Sequence, residues 1–336
     1  MTDTEMFEHL QSKAYDIHAL FQVEIDVTSA CNAQCPFCFQ GLHKKVDEQR
    51  LSLERMIELL EELRELGTYY IGFSGGEPFM RHDFLEILTE AKKRLFRVSL
   101  ITNGMLLDEE KIERIASLGV DRVTVSFHSC VPENYCKCFG ISDYGMIEKV
   151  SKSIELLQKK GVSTGIATTV TNINIGDINK TKQFLEKLGI NGKDINYNML
   201  LSGKSNVHDL LPGEEDILSS KEYLQTKVSG EQRRKLQCSA GLISCSIDSR
   251  GNVYPCTFFN TSVGNICEKS LKEIWYNSHL LNIIRSFNDD MYTKCKDCTI
   301  REKCGLCIAT NLNETQNVFL PPHYFCEARK ARLGVI

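Results

Sequence analysis

The segment Phe21-Gln-Val-Glu-Ile-Asp-Val27 continues, after a short link, into Cys31-Asn-Ala-Gln-Cys35-Pro-Phe-Cys38. The first part is rich in β-branched and aromatic residues and predicts a buried strand. The second part places three cysteines in a C-x3-C-x2-C pattern on the loop that follows. A strand that ends in a cluster of thiols predicts a functional site at its carboxyl end.

Short strands and amphipathic helices alternate outward from this segment. The predicted strands are Phe21 to Val27, Tyr69 to Ser74, Phe96 to Thr102, Arg122 to His128, Ser163 to Thr171 and Asp194 to Leu200. Apolar residues at helical spacing predict helices over Leu51 to Leu66, Asp83 to Leu95, Asp108 to Leu118, Tyr144 to Lys160 and Ile178 to Leu188. This alternation is typical of βα units around a parallel sheet. Six units are too few for a closed eight-stranded barrel, so we expect an α/β fold with a partial (β/α)6 barrel, similar to a TIM barrel, whose chemistry lies at the carboxyl ends of the strands.

Shifts in composition predict how the chain is divided. Residues 1–20 form an N-terminal segment, residues 21–200 the barrel, and residues 201–236 a connector with a helix from about Glu214 to Lys227. From residue 237 to 336 regular elements become short and cysteines become dense. We expect this part to be a small domain organised around metal rather than around an apolar core.

Composition argues against several classes of function. The 336 residues carry 40 basic and 44 acidic side chains, a net charge of −4, which offers no broad cationic field to nucleic acid or to an anionic membrane. The start of the chain lacks a secretory signal, and no apolar run is long enough to span a bilayer. The sequence therefore predicts a cytoplasmic protein. Fifteen cysteines in a reducing compartment favour metal binding over disulfides.

The first three cysteines favour iron–sulfur chemistry. A four-iron cluster held by three thiolates has one iron without a protein ligand, and an open coordination position admits a substrate. Structural zinc is the alternative, with His43 as a candidate fourth ligand. The C-terminal part holds eight more cysteines, enough for two four-cysteine sites, which by spacing alone suit zinc or iron–sulfur clusters. They are Cys238, Cys245, Cys256, Cys295, Cys298, Cys304, Cys307 and Cys326.

The triplet Cys31, Cys35 and Cys38 resembles the signature of the radical S-adenosylmethionine (SAM) superfamily. The second predicted strand ends in Gly75-Gly76-Glu77-Pro78, similar to the family's GGEP motif, whose backbone and glutamate hold the ammonium group of SAM. Glycines let a main chain approach a ligand closely, although a plain βα turn would also use them. The resemblance implies further SAM contacts at the ends of the next two strands and at an aromatic residue in the triplet. These are Thr102, Asn103, Ser126, His128 and Phe37.

The resemblance implies one kind of chemistry. An electron enters a 4Fe-4S cluster, SAM at the open iron is cleaved, and a 5′-deoxyadenosyl radical abstracts a hydrogen atom from the substrate. The electron donor would be a small carrier such as flavodoxin or ferredoxin.

The order of the C-terminal cysteines resembles the SPASM extension of many radical SAM enzymes, and Gly251-Asn-Val-Tyr-Pro-Cys256 is part of that likeness. It implies two auxiliary 4Fe-4S clusters and thus three clusters in the chain. By this analogy Cys238, Cys245, Cys256 and Cys307 hold auxiliary cluster I, and Cys295, Cys298, Cys304 and Cys326 hold auxiliary cluster II. One spacing departs from the family pattern, because two residues rather than three separate Cys304 from Cys307.

Four cysteines remain. Cys130, Cys136 and Cys138 follow the fourth predicted strand, and we expect them on a loop at the mouth of the site. There they are either candidate catalytic residues, which donate a hydrogen atom, bind substrate or act as reactive thiols, or incidental thiols. Cys267 lies at a position that would suit an apolar residue, and we expect it to be a small buried side chain.

SPASM-bearing radical SAM enzymes mostly modify peptides or proteins, so the resemblance implies a peptide maturase that crosslinks, epimerises or oxidises its substrate. Formylglycine formation is disfavoured, because Thr257 replaces the aspartate expected after the third auxiliary-domain cysteine. A radical SAM dehydrogenase or biosynthetic enzyme acting on a small molecule is an alternative, and a non-catalytic metal-binding protein is another. Since only residues 1–20 precede the first strand, leader-peptide binding is expected from the barrel, the connector or a separate protein.

Overall fold

The computed structural model describes residues 3–41, 50–200, 207–220, 238–333 and residue 335. The strands are β1 (Gln22–Asp26), β2 (Tyr70–Ser74), β3 (Arg97–Thr102), β4 (Arg122–Ser126), β5 (Thr164–Thr169), β6 (Ile195–Asn198), β7 (Ser244–Ile247), β8 (Asn252–Tyr254) and β9 (Gly264–Asn265). The helices of the barrel are α1 (Asp3–Ile17), α2 (Leu53–Glu65), α3 (Phe84–Lys93), α4 (Glu109–Ser117), α5 (Pro132–Phe139), α6 (Met146–Lys159) and α7 (Ile178–Lys187). After them come α8 (Glu214–Ser219), α9 (Leu271–Asn277), α10 (His279–Ser286), α11 (Ile308–Thr315) and α12 (His323–Arg332).

The strands form one sheet in the order β6-β5-β4-β3-β2-β1-β7-β8-β9. Strands β1 to β6 run parallel, each beside its neighbour in sequence, and the helices between them cover the sheet. All their carboxyl ends therefore lie at one edge of the sheet. The predicted α/β fold with a partial six-stranded barrel is confirmed.

The C-terminal part continues this sheet, which the sequence did not predict. Strand β7 pairs in parallel with the free edge of β1, with Val23 opposite Cys245, and β8 and β9 follow antiparallel to it. An unpaired β1 edge would leave a row of backbone donors and acceptors without partners, and β7 supplies them. The boundary at residue 237 stays a prediction, but the two parts share one sheet.

Two regions outside the barrel differ from the expected outline. The N-terminal segment forms α1, whose Phe7 ring lies 5.5 Å from Phe21 and 5.8 Å from Tyr69. In the connector, α8 begins at Glu214 as predicted, but the predicted helix beyond residue 220 lies outside the described residues. No described helix has both the length and the apolar character needed to cross a membrane.

The structure has two principal apolar cores. The main core lies between the parallel strands and their helices and includes Val23, Ile25 and, from β7, Cys245. A second core is formed by C-terminal residues, among them Phe259 and Tyr292. The C-terminal part therefore has an apolar core of its own, contrary to the expectation that metal alone organises it, and several of its cysteines pack against that core.

A buried arginine fixes the end of β1 to the start of α3. Arg81 is 2% exposed and donates from Nη1 to the carbonyl oxygen of Val27 at 3.0 Å. Its Nε and Nη2 donate to both carboxylate oxygens of Asp83, at 2.7 and 3.1 Å. Because this two-point pairing is shielded from water, it holds the loop after β1 in place more firmly than a surface ion pair would.

Replacing this arginine should destabilise the fold. In Arg81→Met, Asp83 and the Val27 carbonyl lose their buried partner, and we expect the free energy of unfolding to fall by about 3 kcal/mol or more. The measurement is anaerobic urea unfolding. As a control, Arg97→Met removes a half-exposed pair with Asp121 and should cost less than about 1 kcal/mol. Equal losses in the two variants would contradict this account.

Candidate active site

The loop after β1 gathers the first three cysteines. The N–H of Cys38 donates to the carbonyl oxygen of Cys35 at 3.1 Å, which curls the loop around its thiols. Burial raises the pKa of the Cys35 thiol, and the nearby thiols of Cys38 and Cys31 raise it further by charge repulsion. The three thiols therefore lie close enough together to repel one another as anions. A bound cation or cluster would relieve that repulsion.

The glycines of the GGEP segment are required by a close contact between two loops. A Cβ at Gly76 would lie 2.1 Å from the carbonyl oxygen of Ala30, and one at Gly75 would lie 2.3 Å from that of Thr28. Gly75 also has a φ of +129°, which side chains rarely adopt. The N–H groups of Gly76 and Glu77 donate to Thr28 and Ala30, each at 2.8 Å. The glycines thus bring the loop after β2 against the cysteine loop, a reason the sequence analysis did not identify.

Glu77 lies beneath this contact, with no exposed surface. Its carboxylate accepts hydrogen bonds from Thr102 Oγ1 at 2.7 Å, from the backbone N–H of Asn103 at 2.8 Å and from that of Phe79 at 3.3 Å. Burial raises the pKa of Glu77 to about 7, although these three donors oppose the rise. The carboxylate therefore joins the ends of β2 and β3.

A cavity of 520 Å³ opens at the carboxyl ends of the strands. Ten of the residues predicted for the SAM site line it, from the cysteine loop and from β2, β3 and β4: Cys31, Cys35, Phe37, Cys38, Gly75, Gly76, Thr102, Asn103, Ser126 and His128. Glu77 and Pro78 are not in its lining, because Glu77 is turned toward β3 and Pro78 begins a short 3₁₀ turn. The structure therefore brings most of the predicted cofactor residues to one cavity.

The imidazole ring of His128 lines the cavity in its neutral form. Burial lowers its pKa to about 3, and its Nδ1 accepts a hydrogen bond from the N–H of Thr169 at 3.1 Å. With Nδ1 as acceptor, the ring carries its hydrogen on Nε2. Phe37 packs edge-on against this ring at 5.0 Å. The imidazole can thus donate one hydrogen bond to a ligand without adding charge.

The remaining wall of the cavity was not predicted from the sequence. It comes from the ends of β5 and β6 and from the C-terminal part, and includes Thr169, Asn196, Tyr197, Asn198, Phe258, Phe325 and Arg329. The contribution of the β5 and β6 ends to this wall can be deduced once the order of the strands in the sheet is known. Phe258, Phe325 and Arg329 have no local sequence signal, because only the folding of the C-terminal part over the sheet brings them here.

Cys136 and Cys138 lie on a helix rather than on the predicted loop. Pro132 begins α5 and Gly140, in a left-handed conformation, ends it. Cys136 is 5% exposed and Cys138 has no exposed surface, and burial raises the pKa of Cys138 to about 12. Neither of them, nor Cys130, lines the cavity.

This helix supports the cysteine loop instead. The carbonyl oxygen of Phe139 accepts a hydrogen bond from the N–H of Gln34 at 2.8 Å, and a Cβ at Gly140 would lie 2.2 Å from the carbonyl oxygen of Gln34. The end of α5 therefore packs directly against the loop that carries the triplet.

The C-terminal cysteines fall into two groups. Burial and then the thiols of Cys326, Cys304 and Cys298 raise the pKa of Cys295 to about 11. In the other group, burial and the thiols of Cys238 and Cys307 raise the pKa of Cys256. The two groups match the predicted ligand sets except at Cys245. This cysteine lies on β7 in the main core, and no other thiol influences the pKa of Cys245.

The donor sets consist of thiols, which are the ligands that iron–sulfur clusters use. In the described ranges, no three His, Cys, Asp or Glu side chains stand together as ligands of one metal ion.

Cys267 is exposed, so the expectation of a buried side chain was wrong. Its backbone N–H donates to the side chain of Asn265 at 2.7 Å, at the end of β9. The preceding Ile266 fills the core position instead, with 4% exposure.

The fold and the cavity define a partial barrel with three cysteines at the carboxyl ends of its strands. Two family models match the chain: the Radical SAM superfamily over residues 25–185, and SPASM, an iron-sulfur cluster-binding domain, over residues 238–299. The chain thus contains a radical SAM domain followed by a SPASM domain. Iron–sulfur clusters and SAM are its cofactors.

Curated relatives share this architecture over most of their length. An AdoMet-dependent heme synthase of Methanosarcina barkeri is 26% identical over 84% of this chain and 90% of its own. A PqqA peptide cyclase of Granulibacter bethesdensis is also 26% identical, over 82% of this chain and 79% of its own.

Solved structures show the same fold. Streptococcus suis SuiB bound to S-adenosylmethionine superposes with a TM-score of 0.72 at 19% identity, covering 97% of this chain and 83% of its own. The structure of anSMEcpe with bound AdoMet gives a TM-score of 0.74 at 19% identity, covering 94% and 96%.

The contact between the two loops can be tested by adding one methyl group. In Gly76→Ala the new Cβ would overlap a backbone oxygen, so the loops must separate, and we expect loss of SAM binding by the reconstituted protein in equilibrium dialysis. In the control Gly72→Ala, on β2, the Cβ meets nothing nearer than 3.4 Å. That variant should bind SAM as the native chain does. Native-like binding by Gly76→Ala would contradict this role of the glycine.

Proposed function

We propose that the chain is a peptide-modifying enzyme that binds SAM in one half of the cavity and its substrate in the other. The observation that carries this proposal is the two-part lining. The cysteine triplet and the ends of β2, β3 and β4 form one half, and the ends of β5 and β6 with the C-terminal part form the other.

The SAM half is built from groups without a fixed charge. Gly75 and Gly76 offer backbone at close range, Thr102 and Ser126 offer hydroxyls, and His128 is neutral. We infer that Cys31, Cys35 and Cys38 hold the cluster beside it. When bound, the cluster and SAM together supply a one-electron step that generates a hydrogen-abstracting radical. The residues of the chain orient SAM and exclude water around it.

The substrate half combines an apolar wall with polar side chains. Phe258 stacks on Phe39 at a ring distance of 4.5 Å, and Phe325 is buried. Asn196 and Asn198, on the accessible face of β6, contribute amide groups to this half. Arg329 is the single charged side chain among the described residues that line the cavity, apart from the cysteines. Such a wall suits a substrate with an apolar body and a carboxylate.

The PqqA peptide cyclases among the curated relatives support a peptide as that substrate. A small molecule that carries carboxylates is the second candidate, because the heme synthase relative matches with equal identity. The expected partners are a reductant such as flavodoxin or ferredoxin and, for a peptide, a separate leader-binding protein.

Three clusters are proposed for the chain, and their number can be counted. After anaerobic reconstitution we expect about twelve irons per chain, falling to about eight in Cys31→Ala/Cys35→Ala/Cys38→Ala. Release of 5′-deoxyadenosine on reduction should occur in the native chain and be lost in the triple variant. Zinc in place of iron would overturn the cluster assignment, and an iron-loaded native chain that never releases 5′-deoxyadenosine would overturn the proposed function.

The substrate half can be tested with peptide pools. SAM-loaded native enzyme should enrich carboxylate-bearing members from a random N-acetylated peptide pool at least about tenfold over amide counterparts, since a buried charge-assisted pair discriminates by more than about 1.4 kcal/mol. Arg329→Gln should lose this preference, with SAM binding unchanged. Arg250→Gln, an exposed charge-matched control, should behave as the native enzyme does.

A porphyrin dicarboxylate and its dimethyl ester provide the matching probe for the small-molecule candidate. Selective binding of the porphyrin diacid alone would favour that candidate. Equal peptide enrichment by the native enzyme and by Arg329→Gln would show that Arg329 does not bind the substrate.

A further inference from the structure

The inner face of the sheet, opposite the helices, carries a carboxyl group that the site described so far does not use. Val23 and Ile25 of β1 belong to the main core beneath the helices, so Glu24 between them faces the other way. Ser74, at the end of β2, lies on this same inner face and lines the cavity. Glu24 therefore belongs to a wall that continues from the cavity along the strands.

Strand pairing surrounds Glu24 with small residues. Its neighbours in the sheet are Ser246 of β7 and Gly72 of β2, and Ser99 of β3 follows beyond Gly72. Residues paired across parallel strands face the same side, so these four share the inner face. A Cβ at Gly72 would lie 3.4 Å from Ser99 Oγ and 3.8 Å from Glu24 Oε1. Because glycine has no side chain, a recess lies between this carboxyl group and this hydroxyl group; we call it the Glu24 recess.

Two polar groups at the recess have no protein partner among the described residues. The carboxyl group of Glu24 forms neither a hydrogen bond nor an ion pair there. The hydroxyl of Ser246 is buried, with the residue 4% exposed, and it also has no hydrogen-bond partner. Glu24 is accessible to solvent, yet burial among protein groups raises the pKa of its carboxyl group, as expected inside a barrel rather than on its outer surface. Both groups would gain from a ligand that donates hydrogen bonds.

The charges around the recess favour a cation. On the described strands, the basic residues of the inner face are Arg97 and Arg122, and they pair with Asp121 and Asp194. Asp26, two residues nearer the carboxyl end of β1, adds a second acidic side chain to this face. A metal ion would need more ligands, and the described residues bring no three His, Cys, Asp or Glu side chains together. An ammonium group, which donates three hydrogen bonds, needs only a few acceptors.

We propose that the Glu24 recess binds an alkylammonium group of the substrate, which lies over Gly72 with Glu24 as its counter-ion and Ser99 as a hydrogen-bond acceptor. Gly72 lies two residues before the cavity-lining Ser74, about 7 Å along the strand. The flexible four-carbon stem of a lysine side chain covers such a distance from the cavity. This proposal rests on the proposed function and adds an amine to the carboxylate expected at Arg329.

The recess can be tested with the random N-acetylated peptide pool, before and after acetylation of its lysine amines. SAM-loaded native enzyme should enrich the lysine-bearing peptides at least about tenfold over their acetylated copies, because acetylation removes the charge that pairs with Glu24. Glu24→Gln should lose this preference while it binds SAM and loads iron as the native chain does. Glu110→Gln, at an exposed carboxylate on α4, is the charge-matched control and should keep the preference.

Gly72→Val is a second variant, which fills the recess with methyl groups and leaves Glu24 in place. It should lose the same preference, so the test does not depend on removing a charge. Equal enrichment of the two pools by the native enzyme, or a native preference in a folded variant of either kind, would overturn the ammonium site. An iron-loaded native chain that releases no 5′-deoxyadenosine on reduction would instead contradict the proposed function, so the two failures are distinguishable.

Discussion

The contact between the loops after β1 and β2 is the constraint on which the site depends. Two backbone hydrogen bonds of 2.8 Å join Gly76 and Glu77 to Thr28 and Ala30, at a separation that leaves no room for a Cβ. Glu77 extends the connection to β3 through Thr102 and Asn103. Because this buried carboxylate accepts hydrogen bonds at the end of β3, three strand ends stay joined around the cysteine triplet.

Strand β7 gives the C-terminal part a fixed position relative to that triplet. Its pairing with β1 makes the two parts of the chain one sheet, so the thiols near Cys256 are held at a set distance from the cavity. The same pairing places Cys245 in the main core, since alternate residues of a strand face opposite sides. A cysteine that looks like a ligand in the sequence thus has a packing role in the fold.

The sequence predicted what depends on local pattern. The spacing of apolar residues along strands and helices predicted the barrel. The spacing of Cys31, Cys35 and Cys38 predicted the centre of the site. Features that depend on long-range packing were missed: the pairing of β7 with β1, the burial of Cys138 on α5, and the exposure of Cys267. Arg329 is the clearest example, because it lies about two hundred residues after β4 in sequence yet lines the same cavity as His128.

The last helix, α12, carries two kinds of residue on neighbouring positions. Phe325 and Arg329 belong to the cavity wall, and Cys326 belongs to the thiol group around Cys295. The thiol group around Cys295 and the cavity wall are therefore connected through one short helix. A shift of α12 at Cys326 would also move Phe325 and Arg329, so the geometry of the thiol group and the shape of the cavity wall are coupled.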